Sequence, residues 1–242
     1  MCCFSGNISH VANTRIFARA TERNTQYLVY QMEYTAQNDL AMILPLPTPP
    51  NAAEDAMRFI DLSAYPEFFQ DMAKGFPQPR SLPTLADTTG KSNLAVKRVG
   101  SFDASFVPTR ADFARLDARF RIDDAVWDEL PEYNDFGFAV FQLRADAHTV
   151  HPMAFEFPMR NSQLLFFPTV HIHDGKVEAN AYFDHDLYCQ HHVNWMRSYD
   201  NAQSFVNIAR AQKIVAPDKR IEHLSVRGMH PNSDILVEIK AG

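Results

Sequence analysis

Strand-like runs outnumber helix-like runs along this chain and do not alternate with them, and that ordering constrains its fold more than any other feature. The segment Tyr27-Leu28-Val29-Tyr30-Gln31-Met32-Glu33-Tyr34 places Leu28, Tyr30, Met32 and Tyr34 on one face at period two. Leu40-Ala41-Met42-Ile43-Leu44 starts as a buried strand. Pro45 and Pro47 cannot donate to a ladder, so that strand ends there or lies at an edge. Further strands are expected near 94–99, 102–107, 136–143, 152–157 and 164–172, with two more near 221–227 and 234–239. Asp174-Gly175 is a type I′ turn signal joining Val170-His171-Ile172-His173 to Lys176-Val177-Glu178-Ala179.

Helical signals are short. Residues 52–59 read as one helix. Pro66 to Lys74 reads as another, with Phe68, Phe69 and Met72 as its buried face and Gly75 as its stop. Thr109-Arg110-Ala111-Asp112 resembles a capping box, Ala125 to Leu130 carries Trp127, and 201–212 reads as a helix. Residues 77–93, with Pro77, Pro79 and Pro83, are the candidate linker or flap. The class expected is α+β, with largely antiparallel sheet and a few short helices, in a single domain spanning 1–242.

Composition narrows the function. The formal net charge is −6, and the densest basic stretch, Arg115, Arg119 and Arg121, is interleaved with Asp112, Asp117, Asp123 and Asp124. Nucleic acid is therefore not an expected partner. Only 8 glycines are present, and neither GxGxxG nor GxxxxGK[ST] occurs, so no nucleotide cofactor is expected. No apolar run reaches the length of a membrane span. The opening Met1-Cys2-Cys3-Phe4-Ser5-Gly6 has no basic region followed by an apolar one. With the 3 cysteines Cys2, Cys3 and Cys189, it points to free thiols in the cytoplasm. A small molecule or a protein is the expected partner, and the oligomeric state is not legible.

Three stretches resemble a family of mostly bacterial proteins of unknown function. These are Cys2-Cys3-Phe4 followed by Thr14-Arg15-Ile16-Phe17-Ala18, then Ile43-Leu44-Pro45-Leu46-Pro47-Thr48-Pro49, then His151-Pro152-Met153-Ala154-Phe155-Glu156-Phe157-Pro158. They are similar to that family's cysteine-bearing N-terminus with its "ERILF"-like strand, its "VPVP" strand and its "PLRLEFP"-type strand. The resemblance covers about two thirds of the chain. Its motifs are structural, so it implies a fold and little chemistry.

The segment His171–His192 is richest in metal-ligand chemistry, which suits zinc or copper. His171 and His173 share a strand face. His185, Cys189 and His192 would form one stripe if helical, with Cys2, Cys3 or the terminal amine as a fourth ligand. A regular hairpin would keep His185 roughly 23 Å from the strand pair, so the two groups combine only if the chain bends after Phe183. The plainer alternative makes Cys189 a small buried hydrophobe and leaves His191 and His192 as surface residues beside Trp195.

Two further readings stand beside the metal. Removal of Met1 would expose Cys2 as a nucleophile with its own amine as base, which is similar to the "MCG" or "MCT" openings of N-terminal nucleophile amidohydrolases. Arg15 or Arg19 would then orient a substrate carboxylate. Glu156 with His151 is a weaker acid/base pair. The last reading is a non-catalytic binding module.

Overall fold

The structure, a computed structural model, describes residues 3–77 and 103–239. Its strands are β1 (Cys3–Phe4), β2 (Ile8–Ala20), β3 (Thr25–Ala36), β4 (Leu40–Leu46), β5 (Arg58–Asp61), β6 (Ala104–Val107), β7 (Gly137–Leu143) and β8 (Asp146–Thr149). They continue with β9 (Met153–Pro158), β10 (Leu164–Phe167), β11 (Asn180–Cys189), β12 (Met196–Arg197), β13 (Glu222–Pro231) and β14 (Ile235–Glu238). The α-helices are α1 (Phe68–Ala73) and α2 (Asp124–Asp128), of 6 and 5 residues. Single 3₁₀ turns cover Arg110–Arg115, Ala118–Phe120, Pro131–Tyr133 and Ala202–Ser204. No helix among the described residues is long and apolar enough to cross a membrane.

A large sheet runs in the order β12-β13-β11-β2-β3-β9-β5, with β8 also paired to β3. It is mixed, because β11 lies parallel to β2. A smaller sheet runs β1-β4-β7-β6, and β10 pairs with β14. The two main sheets face each other through Tyr30, Met32 and Tyr34 of β3, Met42 and Leu44 of β4, Phe141 of β7 and Phe155 of β9. On the outer face of the large sheet, Phe17, Val29 and Tyr188 are covered by Phe68, Phe69 and Met72 of α1 and by Val206 and Ile214. On the outer face of the small sheet, Ile43, Phe138 and Val140 are covered by Phe113 and Trp127. The central strands are thus covered on both faces, and for that reason β4 reads as a continuous apolar run.

The α+β expectation is overturned: the chain is mostly β, and its large sheet is mixed through the parallel pairing of β11 with β2, the other strand pairings among the described residues being antiparallel. Of residues 52–59, the first six form turns leading into β5 and the last two, Arg58 and Phe59, begin it. The stretch 201–212 makes one 3₁₀ turn, Ala202–Ser204, followed by further turns. Ala202, Val206 and Ala211 are buried, which gives the sequence an apolar spacing close to a helix's. Gln212 and Lys213, at φ 48° and 69°, are left-handed and end any helical path. Gly75 follows α1 as the sequence suggests, but the reason is steric. A Cβ there would meet the Phe205 ring at 2.5 Å. The candidate flap lies outside the described residues from 78 onward, as do the strand expected at 94–99 and Cys2.

Candidate functional site

Asp174 and Gly175 adopt φ of 53° and 68°, as a type I′ turn requires, and the Lys176 amide donates to the His173 carbonyl at 3.0 Å. The ladder stops there. Asn232, from the turn after β13, inserts between the two arms. Its Oδ1 accepts the His171 amide (2.7 Å), and its Nδ2 donates to the carbonyls of His171 (2.9 Å) and Glu178 (2.8 Å). The chain then returns along β11, and the straight-strand separation between His171 and His185 disappears. The His171 ring lies 5.7 Å from His173, 5.6 Å from His185 and 4.7 Å from Phe183.

The His171 imidazole therefore neighbours both others, with Phe183 against His171 and His185 and Phe4 against His173. Burial pushes His171 down to about 2, and it depresses His173 and, further still, His185. All three are neutral at pH 7, the form that binds metals. His185 Nδ1 accepts the Asp184 amide at 3.1 Å. His173 Nε2 is buried with no hydrogen-bond partner among the described residues. Among the described residues, no group of three or more His, Cys, Asp or Glu is arranged to hold an ion.

The other candidate ligands fall elsewhere. Cys3 pairs with Ile172 as an isolated parallel bridge, and both side chains enter the Trp127 cluster. Phe4 faces the imidazoles instead, 5.7 Å from His173. Cys189 lies on β11 rather than on a helix, so four residues carry it about 13 Å from His185. The helical stripe of His185, Cys189 and His192 does not form. Cys189 is buried, and burial pushes its thiol up to about 12. It is an inert neutral thiol. His192 Nδ1 meets Glu222 at 2.8 Å, and the other Glu222 oxygen accepts the amides of Val193 and Trp195 at 3.0 Å. His191 Nε2 accepts the Ala20 amide.

A further polar group, on β11 and β13, has no local sequence signature. Asp186 accepts from Ser225 Oγ (2.7 Å), His223 Nε2 (2.9 Å) and Arg227 (2.8 Å). Burial opposes its charge, but these three donors outweigh burial and hold the carboxyl well below the usual range. The residue types are those of a nucleophile, a base and an orienting acid. The geometry differs, because a triad histidine uses opposite ring nitrogens for its two partners. Here one nitrogen, Nε2, faces both Asp186 and Ser225, the latter at 3.5 Å. Register produces the grouping: Asp186 sits opposite Ser225 and two pairs along from Arg227, on the same face.

No protein-family model matches the chain, and no curated protein matches it. Solved structures do. The crystal structure of baculovirus P35 is similar at a TM-score of 0.56 and 14% identity, covering 99% of this chain and 100% of that one. A mutated baculovirus P35 after caspase cleavage is similar at 0.51 and 10% identity, covering 95% and 100%. A second structure of mutated P35 after caspase cleavage is similar at 0.50 and 12% identity, covering 96% and 98%. At these identities the likeness establishes a P35-like β fold.

Proposed function

We propose that this chain is a protein-interaction module that engages a caspase-type cysteine protease. The observation that carries the reading is end-to-end likeness: the P35 fold is matched over 99% of this chain and 100% of that one. A mutated P35 has been captured after caspase cleavage. Caspases cut after aspartate. The polar, proline-bearing stretch 77–93 contains a single aspartate, Asp87, within Leu82-Pro83-Thr84-Leu85-Ala86-Asp87. The test is to incubate the full chain with purified caspases while following residual protease activity and intact mass. Stoichiometric loss of activity with a cut after Asp87, both abolished in Asp87→Ala, supports the reading. Full protease activity with no complex and no cut removes it.

A second reading, zinc or copper, keeps one specific observation. His173 Nε2 is a buried nitrogen without a hydrogen-bond partner among the described residues, and its ring neighbours that of His171. Elemental analysis of protein purified without a histidine tag tests it. Near-stoichiometric metal that is lost in His173→Ala supports a site, and metal-free wild type ends it.

A further inference from the structure

The opposite side of the large sheet carries a row of four side chains that sequence patterning does not reveal. Strand register places Arg19 beside Tyr27, Tyr27 beside Glu156 and Glu156 beside Arg58, across β2, β3, β9 and β5. Side chains so aligned stand on one face, roughly 5 Å from neighbour to neighbour. The guanidinium of Arg19 lies over the Tyr27 ring at 4.9 Å, and that of Arg58 approaches the same ring at 6.0 Å. Above the row is a cavity of about 500 Å³. Arg23, Arg58, Lys213 and Glu156 supply its charged lining.

Three cations against one carboxylate leave a surplus of two positive charges, in a chain whose net charge is −6. The carboxylate is already engaged. Glu156 accepts from Thr25 Oγ1 (2.6 Å), Arg58 (2.7 Å) and, more distantly, Arg23 (3.4 Å). Burial raises its pKa, but these donors outweigh burial and hold it below the usual range. Its effect is to fix Arg58, whose side chain is still 58% exposed, while that of Arg23 is 75% exposed. Both side chains thus remain largely open to solvent. Lys213 makes no ion pair among the described residues.

The loop carrying Lys213 is built onto the cavity. Arg19 donates from Nε to the Ile214 carbonyl and from its terminal nitrogen to the Lys213 carbonyl, both at 2.6 Å, and Gln212 Nε2 donates to the Asp61 carbonyl. Gln212 and Lys213 are both held left-handed, a conformation that costs non-glycine residues on the order of 1 kcal/mol each. That cost places the Lys213 cation on the rim of a basic cavity.

We propose that this cavity binds a phosphoryl dianion, either free phosphate or the phosphate monoester of a small molecule. Two surplus cations match its two charges, and arginine forks match its oxygen geometry. A monocarboxylate would leave one cation unmatched. The inference does not depend on the protease reading. Calorimetric titration of the full chain at low salt with inorganic phosphate, phenyl phosphate and acetate tests it. Saturable 1:1 binding of phosphate or its ester, with acetate at least about tenfold weaker, is expected. Tighter phenyl phosphate identifies an ester as the ligand, and parity identifies the free ion. Lys213→Asn removes one charge at a position where asparagine tolerates the backbone, and should weaken binding about 3- to 10-fold. Glu156→Gln should strengthen it, an effect that a purely structural role for Glu156 would not give. Absence of saturable binding, equal affinity for acetate, or indifference to Lys213→Asn overturns the proposal.

Discussion

At the scale of single residues, the histidines of the His171 group set a pH dependence. The unfolded chain protonates them near 6.5, whereas His171 folded titrates at about 2 and His185 lower still. Between those values the unfolded state binds more protons, so stability rises with pH and is lost as pH falls below about 6.5. From pH 6 to pH 5 the pair removes about 2 kcal/mol. Asp234 acts in the other direction. Burial raises it to about 6, against the Tyr133 hydroxyl and the Thr169 and Val170 amides that favour its charge. Its folded form therefore gains relative stability as pH falls from 6 to 4, returning about 1 kcal/mol over the same unit. The net expectation is a thermal midpoint that drops between pH 7 and pH 5, and a shallower drop in His185→Phe. A midpoint unchanged or higher at pH 5 would show that these imidazoles are not buried and neutral.

At the scale of elements, Asn232 decides how two strands end. It replaces the ladder that the Asp174-Gly175 turn would otherwise extend, and by doing so steers His171 toward β11. Asn232→Ala strands an amide and two carbonyls. At about 1 kcal/mol net for each hydrogen bond, the loss is about 3 kcal/mol. Urea denaturation measures it, and hydrogen exchange at the His171 amide should accelerate in parallel. A loss under about 0.5 kcal/mol would mean that water or a shifted backbone takes Asn232's place. The same region shows why spacing misled about Cys189 and His192. An i, i+4 pair lies about 6 Å apart on a helix and about 13 Å apart on a strand, and nothing in the residues 185–192 selects between them. The partners select. β11 is flanked by β13 and β2, so both edges of its backbone are satisfied as a strand.

At the scale of the whole molecule, the sequence by itself determined what depends on near neighbours. Asp174 and Gly175 make their turn because that pair tolerates positive φ. Phe68, Phe69 and Met72 form the buried face of α1 because helical geometry puts them on one side. Leu28, Tyr30, Met32 and Tyr34 share one core because a strand has period two. Only the tertiary structure decided the rest. Strand order and register join residues more than a hundred positions apart, as when Tyr27 meets Glu156 and Arg15 meets Asp186. Burial on both faces of a central strand such as β4 erases the alternation there. The row from Arg19 to Arg58 comes from such pairings, and the meeting of His171 with His185 from the insertion of Asn232. Backbone hydrogen bonds are the same for every residue type, so the choice of partner strand is made by the packing of the assembled core and leaves no local mark in the chain.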